Sequence, residues 1–447
     1  MISVRCFDSL EAASHLRHEI NALNRLSARP DPFSTFEFLQ NFHTLDEACP
    51  DGRSLSLWFL TAFQADRLVG YAALKTLGHR ILGLQTHTLR FMVEHDGDRP
   101  HVVTAPEHLP AVSEAFCNYA LSRGKEWSLL EFHQQDNTSS LFPPSPVFDP
   151  KRYRVRQWPN LENCTIQMRW DTLRDYAAAL PKKFRTNLRR QMRSLFEQGE
   201  LELLGSSDPE ATPALFELYR SIESQSWKSG AKVNLGRHPA RVAYIRGLLG
   251  AQQPMRISVQ VLLLDRRPIA GLISGIFMNG MYAIDIVYDR RLSPMAPGSA
   301  MLLMGMRKAI DGHCAFFNLL SGFAYYKVLW LADVVETRVV QIYRAGRLPF
   351  WRRQFGDAIR RAIPPKHGAE PVRFNPLRRR VGGRDGDPPL PERVDGLQVR
   401  PDERVRIDGL IAQSGKGNVE FLSADALSAL MPFDLRRLPD GGQAQEP

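Results

Sequence analysis

The apolar positions of this chain repeat one rhythm twice. In "LSLWFLTAFQADRLVGYAALKTL", residues 55–77, an apolar run breaks at Ala65-Asp66-Arg67 and then resumes. The stretch "ISVQVLLLDRRPIAGLISGIF", residues 257–277, does the same around Asp265-Arg266-Arg267-Pro268. Runs of this length bounded by polar turn residues predict β-hairpins. Two such hairpins about 200 residues apart predict a duplicated α/β unit. Helical spacing fills the intervals. It predicts helices in "PEHLPAVSEAFCNYALSRG", ending near Gly124, and over 180–198, with Pro181 in the first turn and Gly199 as the stop. Two more are predicted in "DPEATPALFELYRSIESQSW", with Asp208 as the N-cap, and in "PGSAMLLMGMRKAIDG".

Beyond about residue 365 the pattern dissolves into Pro, Gly and charge, which predicts a largely unstructured tail, with one short helical segment in "SADALSALM". Just before it, "LPFWRRQFGDAIRRAI" separates an apolar face from Arg352, Arg353, Arg360 and Arg361. This helix either packs its apolar face on its own domain, the favoured reading, or lies on an anionic membrane surface.

Composition narrows the class. The chain has 447 residues, and its longest apolar stretch is interrupted by Asn279 and Asp285. A membrane-spanning helix is therefore not expected. The acidic start without an apolar run predicts no signal peptide. Five cysteines without a CxxC pair argue against a disulfide framework or a zinc cluster and for a reducing cytoplasm. His79, His87, His133 and His313 show no metal spacing and read as structural. A net charge of +10 favours a polyanionic partner: a phosphate-bearing cofactor, nucleic acid or an anionic membrane.

Four pieces of chemistry lie in the second half. Gly298, Ser299 and Ala300 open a helix directly after a strand and a loop, and the unpaired N–H groups at such a mouth bind phosphate. On the helix 180–198, Lys182, Arg185, Arg189 and Arg193 form a basic stripe beside an apolar face of Phe184, Leu188, Met192, Leu195 and Phe196. Arginine there suits phosphate or carboxylate. In "SIESQSWKSGAK" Glu223 stands near a helix end with Trp227 and Lys228 beyond it, a carboxylate and an amine suited to proton transfer and substrate binding. In "SGFAYYKVLW", Lys327 sits among apolar neighbours, where a bare ammonium is costly unless it is paired or used.

The order of "ESQSWK", "LLLDRRPIAGLISG", "YAIDIVYDRRLSPMAPGSAMLL" and "GFAYYKVLW" resembles the second half of the CelD-like acyltransferases. These are GNAT-superfamily proteins of polysaccharide biosynthesis, related to the FemAB transferases. The segments "FSTFEFLQNF" and "LRFMVEHDGDRPHVV" are similar to that family's leading module. The resemblance covers roughly residues 30–345. It implies tandem GNAT-like modules with mixed central sheets: an N-terminal module over 1–170, an acyltransferase module with a terminal basic helix over 171–364, and a tail over 365–447. It also implies a role for each candidate. Gly298, Ser299 and Ala300 match the acyl-CoA pyrophosphate loop. Lys327 matches a lysine beside the reacting carbonyl; in the expected mechanism Glu223 or a hydroxyl of Tyr325 or Tyr326 handles protons. Two positions depart from the family pattern: Met295 stands where an Arg or Gln is usual, and Asn318 where an aspartate is usual.

The expected activity is transfer of an acyl group from acyl-CoA, without a metal, to an amine or hydroxyl of a sugar, lipid or small molecule. Two other readings fit the same residues. One is FemAB-type transfer from aminoacyl-tRNA, and the other is a catalytically degenerate scaffold in polysaccharide export.

Overall fold

Both apolar rhythms are β-hairpins, and they are built alike. Leu55–Gln64 pairs with Arg67–Ile81, and Arg256–Leu264 pairs with Arg267–Phe277. Each turns through two left-handed residues, Ala65 and Asp66 (φ 48° and 62°) or Asp265 and Arg266 (φ 48° and 62°). Such turns match the right-handed twist of the flanking strands. Each hairpin also has its register shift just before the turn, between Ala62 and Phe63 or between Leu262 and Leu263. The repeat predicted from the sequence thus extends to the backbone.

The structure is a computed structural model describing residues 2–48, 55–81, 84–93, 97–136, 148–149, 151–226, 228, 238–250, 253–322, 325–347, 349–351, 399–433 and 435. The fold is mixed α/β, with two eight-stranded mixed sheets. Among the described residues, one compact unit takes 2–164, 320–325 and 334–351, and a second takes 165–319, 326–333 and 399–435.

In the first sheet the strands are β1 (Ser3–Phe7), β2 (Leu55–Gln64), β3 (Arg67–Ile81), β4 (Leu84–Phe91), β5 (Val103–Thr104), β6 (Leu129–Gln135), β7 (Tyr153–Pro159) and β15 (Arg338–Arg344). Their order is β1-β2-β3-β4-β6-β15-β7, with β5 on β3. Helices α1 (Arg17–Leu26), α2 (Phe36–Ala48) and α3 (Leu109–Ser122) belong to this unit. Trp58, Leu60, Val112, Phe116, Trp127 and Phe132 meet in its core. A buried polar network lies beside that core. Arg29 and Arg99 both reach Asp136, at 2.8 and 3.2 Å, and Asn163 donates to Asp98 at 2.8 Å. Burial pushes the Asp31 carboxyl up to about 6, against the pull of Arg29.

The second sheet holds β8 (Asn163–Gln167), β9 (Leu201–Ser206), β10 (Arg256–Leu264), β11 (Arg267–Phe277), β12 (Gly280–Tyr288), β13 (Phe316–Ser321), β14 (Asp333–Val335) and β16 (Glu420–Leu422). Their order is β14-β8-β13-β12-β11-β10-β9-β16. Its helices are α4 (Leu173–Ala179), α5 (Lys182–Phe196), α6 (Thr212–Glu223), α7 (Pro239–Leu248), α8 (Pro297–Asp311), α9 (Tyr325–Leu329), α10 (Pro401–Ser414) and α11 (Ala424–Leu430). Both α6 and α8 pack on β11. The Tyr219 ring of α6 fills the space above Gly271, where a Cβ would come within 2.6 Å of it.

Three expectations need correction. Asp208 does not cap α6. It accepts from Glu210 N in the preceding turn, and the helix opens from Ala211 with a proline in its first turn. β15 belongs to the first sheet, although the sequence assigns 171–364 to the second module. Its alternating "RVVQIYR" pairs antiparallel with β6 on one side and β7 on the other, and such long-range pairing leaves no local signal. The tail is folded over 399–433. Ile407, Leu410 and Leu427 are buried, and β16 pairs with β9 along the sheet edge. Arg307–Glu420 at 2.9 Å ties β16 to α8. Most of the basic helix expected at 348–362 lies outside the described residues.

Candidate functional site

The site begins where two strands part. β12 and β13 run parallel and pair from Gly280–Phe316 to Tyr282–Asn318. Pairing ends there, yet β12 continues to Tyr288 and β13 to Ser321. The two strands therefore pair with each other over only the first part of their length. On its other side β12 carries a bulge, since Ile273 faces Asp285 while Ser274 faces Ala283. A bulge bends its strand and re-aims side chains.

β12 then leads into the helix mouth. Asp289 is buried and accepts from Arg267 at 2.8 Å and from Arg291 at 2.6 Å, which fixes the strand end. A 3-10 turn, Arg290–Met295, follows, and Ala296 enters α8 in the left-handed conformation (φ 50°, ψ 53°). Ser299 N and Ala300 N both donate to Ala296 O, at 2.8 and 3.4 Å. The Gly298 amide, at the second helical position, has no intrahelical acceptor. A Cβ at Gly298 would lie 3.0 Å from the Tyr288 ring, so glycine lets strand and helix approach. Met295 is fully buried, so position 295 offers no contact to a phosphate.

Two predicted residues meet a third that the sequence reading passed over. Lys228 Nζ lies 3.7 Å from Glu223 Oε1 and donates to both oxygens of Asp285, at 2.5 and 2.7 Å. Asp285 Oδ1 also accepts from Ile286 N at 3.0 Å. Glu223, the last residue of α6, is 2% exposed. Behind this group Tyr219 is fully buried. Its phenol is pushed well above its ordinary range by burial first, then by the carboxylates of Asp285 and Glu223. In the sequence, Asp285 is only a polar break in an apolar strand. Its place beside Lys228 depends on the bulge and on the turn after α6. Trp227 lies outside the described residues.

Lys327 is 7% exposed on α9, and its Nζ donates to Leu319 O of β13 at 2.8 Å. Asn318, the residue before Leu319, is buried opposite Tyr282. Leu319 and Asp285 therefore stand on neighbouring strands a few residues apart. Tyr326 is 44% exposed on the same helical turn. Helix α5 packs against the 290–295 turn, with Gln191 Nε2 donating to Pro294 O at 3.3 Å. It buries Leu188, Met192 and Leu195, leaves Lys182 and Arg189 exposed, and half-buries Arg185, which donates to Ala178 O. Helix α5 thus packs beside the turn that leads into the helix mouth. Among the described residues, no group of three or more His, Cys, Asp or Glu is placed to hold a metal ion, and no helix is long and apolar enough to cross a membrane.

These elements coincide with one family. Residues 182–328 match the acetyltransferase (GNAT) domain. The matched segment runs from the first residue of α5 to the residue after Lys327. Among solved structures, the chain is similar to a conserved protein of unknown function from Bacteroides thetaiotaomicron. The identity is 12%, with 76% of this chain and 100% of that one covered and a TM-score of 0.45. It is also similar to a tandem GNAT protein from the clavulanic acid biosynthesis pathway (12% identity, 78% and 99% covered, TM-score 0.42). FemX is similar at 10% identity, with 75% and 98% covered and a TM-score of 0.39. No curated protein matches the chain in sequence. Within the matched segment lie the parted strands, the α8 mouth, the Lys228 cluster and Lys327.

Proposed function

We propose that this protein moves an acyl group from acyl-CoA to an amine or hydroxyl of a sugar, lipid or small-molecule acceptor. The resemblance to CelD-like proteins suggests a place in cell-envelope polysaccharide biosynthesis. One observation carries the reading: two parallel strands part beside a glycine-opened helix mouth, inside the segment that matches the GNAT domain. An extended thioester can lie along the open strand edges with its diphosphate at the helix N-terminus. The Gly298 amide and the Ser299 hydroxyl are donors to that diphosphate, with Ala300 closing the first turn. Arg185 and Arg189 on α5 would supply the positive charge that buried Met295 does not. The nucleophile attacks the thioester directly. The Lys327 ammonium, in an apolar surround, stabilises charge developing on the carbonyl oxygen more strongly than it would in water. Exposed Tyr326 would meet the acceptor.

The test is calorimetric titration with acetyl-CoA. Gly298→Asp should abolish binding by like-charge repulsion, whereas Gly298→Ala, the control for contact with Tyr288, should weaken it no more than a few-fold. Undiminished binding to folded Gly298→Asp would remove the donor assignment. Aminoacyl-tRNA in place of acetyl-CoA is the comparison arm, because the basic stripe of α5 also suits a polynucleotide. Binding of the tRNA alone would favour the FemAB-type reading.

A further inference from the structure

A base for acyl transfer must reach the incoming nucleophile within hydrogen-bond distance, directly or through one water. Glu223 does not meet that condition, because it is 2% exposed at the end of α6 and lies beneath Lys228. Asn318 is a neutral amide on β13 and accepts no proton at ordinary pH. The side chain of Asp285, by contrast, is 30% exposed. It stands at the bulge of β12, on the stretch where that strand has already left β13. From Asp285 to Tyr288, whose ring abuts Gly298, the strand advances about 10 Å. The carboxylate is thus on the strand that leads to the helix mouth and is set back from it.

Resting on the acyl-transfer reading, we infer that Asp285 is the carboxylate that takes the proton of the incoming amine or hydroxyl, and that Lys228 is the positioning residue that holds it. Lys228 reaches both oxygens of Asp285, and the Ile286 amide fixes Oδ1 from the backbone. Oδ2 keeps lone-pair capacity for a further donor. Among the described residues, the charged and titratable groups around the pair include Glu223 and Tyr219 from α6 and Arg241 from α7, whose charge acts on Tyr219.

In the step itself, a lone pair of the acceptor N or O forms the new bond to the acyl carbon. The acceptor's proton passes to Asp285 Oδ2, and the C–S bond breaks with its electron pair going to sulfur. The CoA thiolate is protonated by solvent, and Asp285 returns its proton to solvent. Acylated acceptor and free CoA balance the equation.

The experiment measures acetyl-CoA binding by calorimetry, and thiol release from acetyl-CoA with a panel of primary amines and amino sugars, on the same proteins. Asp285→Asn should bind acetyl-CoA like the parent and release thiol about a hundredfold more slowly, or slower still. Lys228→Met should move the acid limb of the rate–pH profile to higher pH, and Lys228→Arg should restore it. Because Lys228→Met leaves a carboxylate unpaired and can lose its fold, the double variant Asp285→Asn/Lys228→Met is the second probe. It should be no slower than Asp285→Asn alone, since residues acting as a unit are not additive. Equal thiol release by Asp285→Asn and the parent overturns the assignment. So does a double variant far slower than Asp285→Asn, or a Lys228→Met profile that does not move. Failure of the parent to bind acetyl-CoA is a different result, and it removes the acyl-transfer reading itself.

Discussion

Lys327 shows how much one atom's surroundings decide. Its ammonium is buried and donates to the Leu319 carbonyl, so its charge is held in place, where a snorkelling lysine would keep its head in water. An ammonium fixed this way needs no reorganisation when charge grows on a nearby oxygen. Replacing it with methionine keeps the stem's packing beside Trp330 and opens no cavity. Lys327→Met should therefore fold and bind acetyl-CoA normally while turnover falls about a hundredfold or more. Affinity and thiol release measured on the same preparation would check this. An active variant would leave Lys327 as structure alone. The sequence already marked Lys327, because a lysine among apolar residues is conspicuous in one dimension. Asp285 was invisible there, because an aspartate in a strand gains meaning only from what the bulge and the next loop bring to it.

At the scale of elements, local rules were legible and long-range pairings were not. Both hairpins, α3, α5, α8 and the short α11 follow from apolar spacing and from Gly and Pro at their ends. The cap of α6 was misplaced because Asp208 satisfies a turn instead, and turn and cap call for the same residue type. The paired hairpins also allow a comparison within one chain. Asp66 and Arg266 hold the same left-handed position, but they differ in what they touch. Asp66 is exposed and only 3.9 Å from Arg5, whereas Arg266 pairs with buried Glu202 at 2.9 Å and lies over the Phe421 ring. Glycine removes the backbone strain at either site. Asp66→Gly should therefore raise the first unit's Tm by about 2 °C. Arg266→Gly should lose that gain to its broken contacts. Parallel thermal melts would check the difference, and equal shifts would mean that the contacts of Arg266 contribute nothing.

At the scale of the whole molecule, the first unit should respond to acid in two stages. Asp31 has an ordinary value of 3.8 and is raised to about 6, so the folded state takes up its proton first. As pH falls from about 6 towards 4, this group adds to stability. Glu131 opposes it at lower pH. Burial raises that carboxyl, but His133, Arg90 and Gln341 outweigh burial and hold it at about 2, below its ordinary 4.5. Its contribution is present above 4.5 and is lost as pH falls towards 2. Hydrogen exchange of β2–β4 amides should thus slow slightly from pH 7 to 5, after correction for the intrinsic rate, and quicken below about 4. Asp31→Asn should remove the first stage and spare the second. The position of β15 has a consequence of another kind, in the order of synthesis. It lies between β6 and β7 in the sheet, but it leaves the ribosome after the whole segment 182–328 has been made. At 5–20 residues per second, the wait from β7 to β15 is on the order of ten to forty seconds. Throughout that time β6 and β7 have no strand between them, and a nascent chain halted before Arg338 would keep both edges open to any passing strand or chaperone.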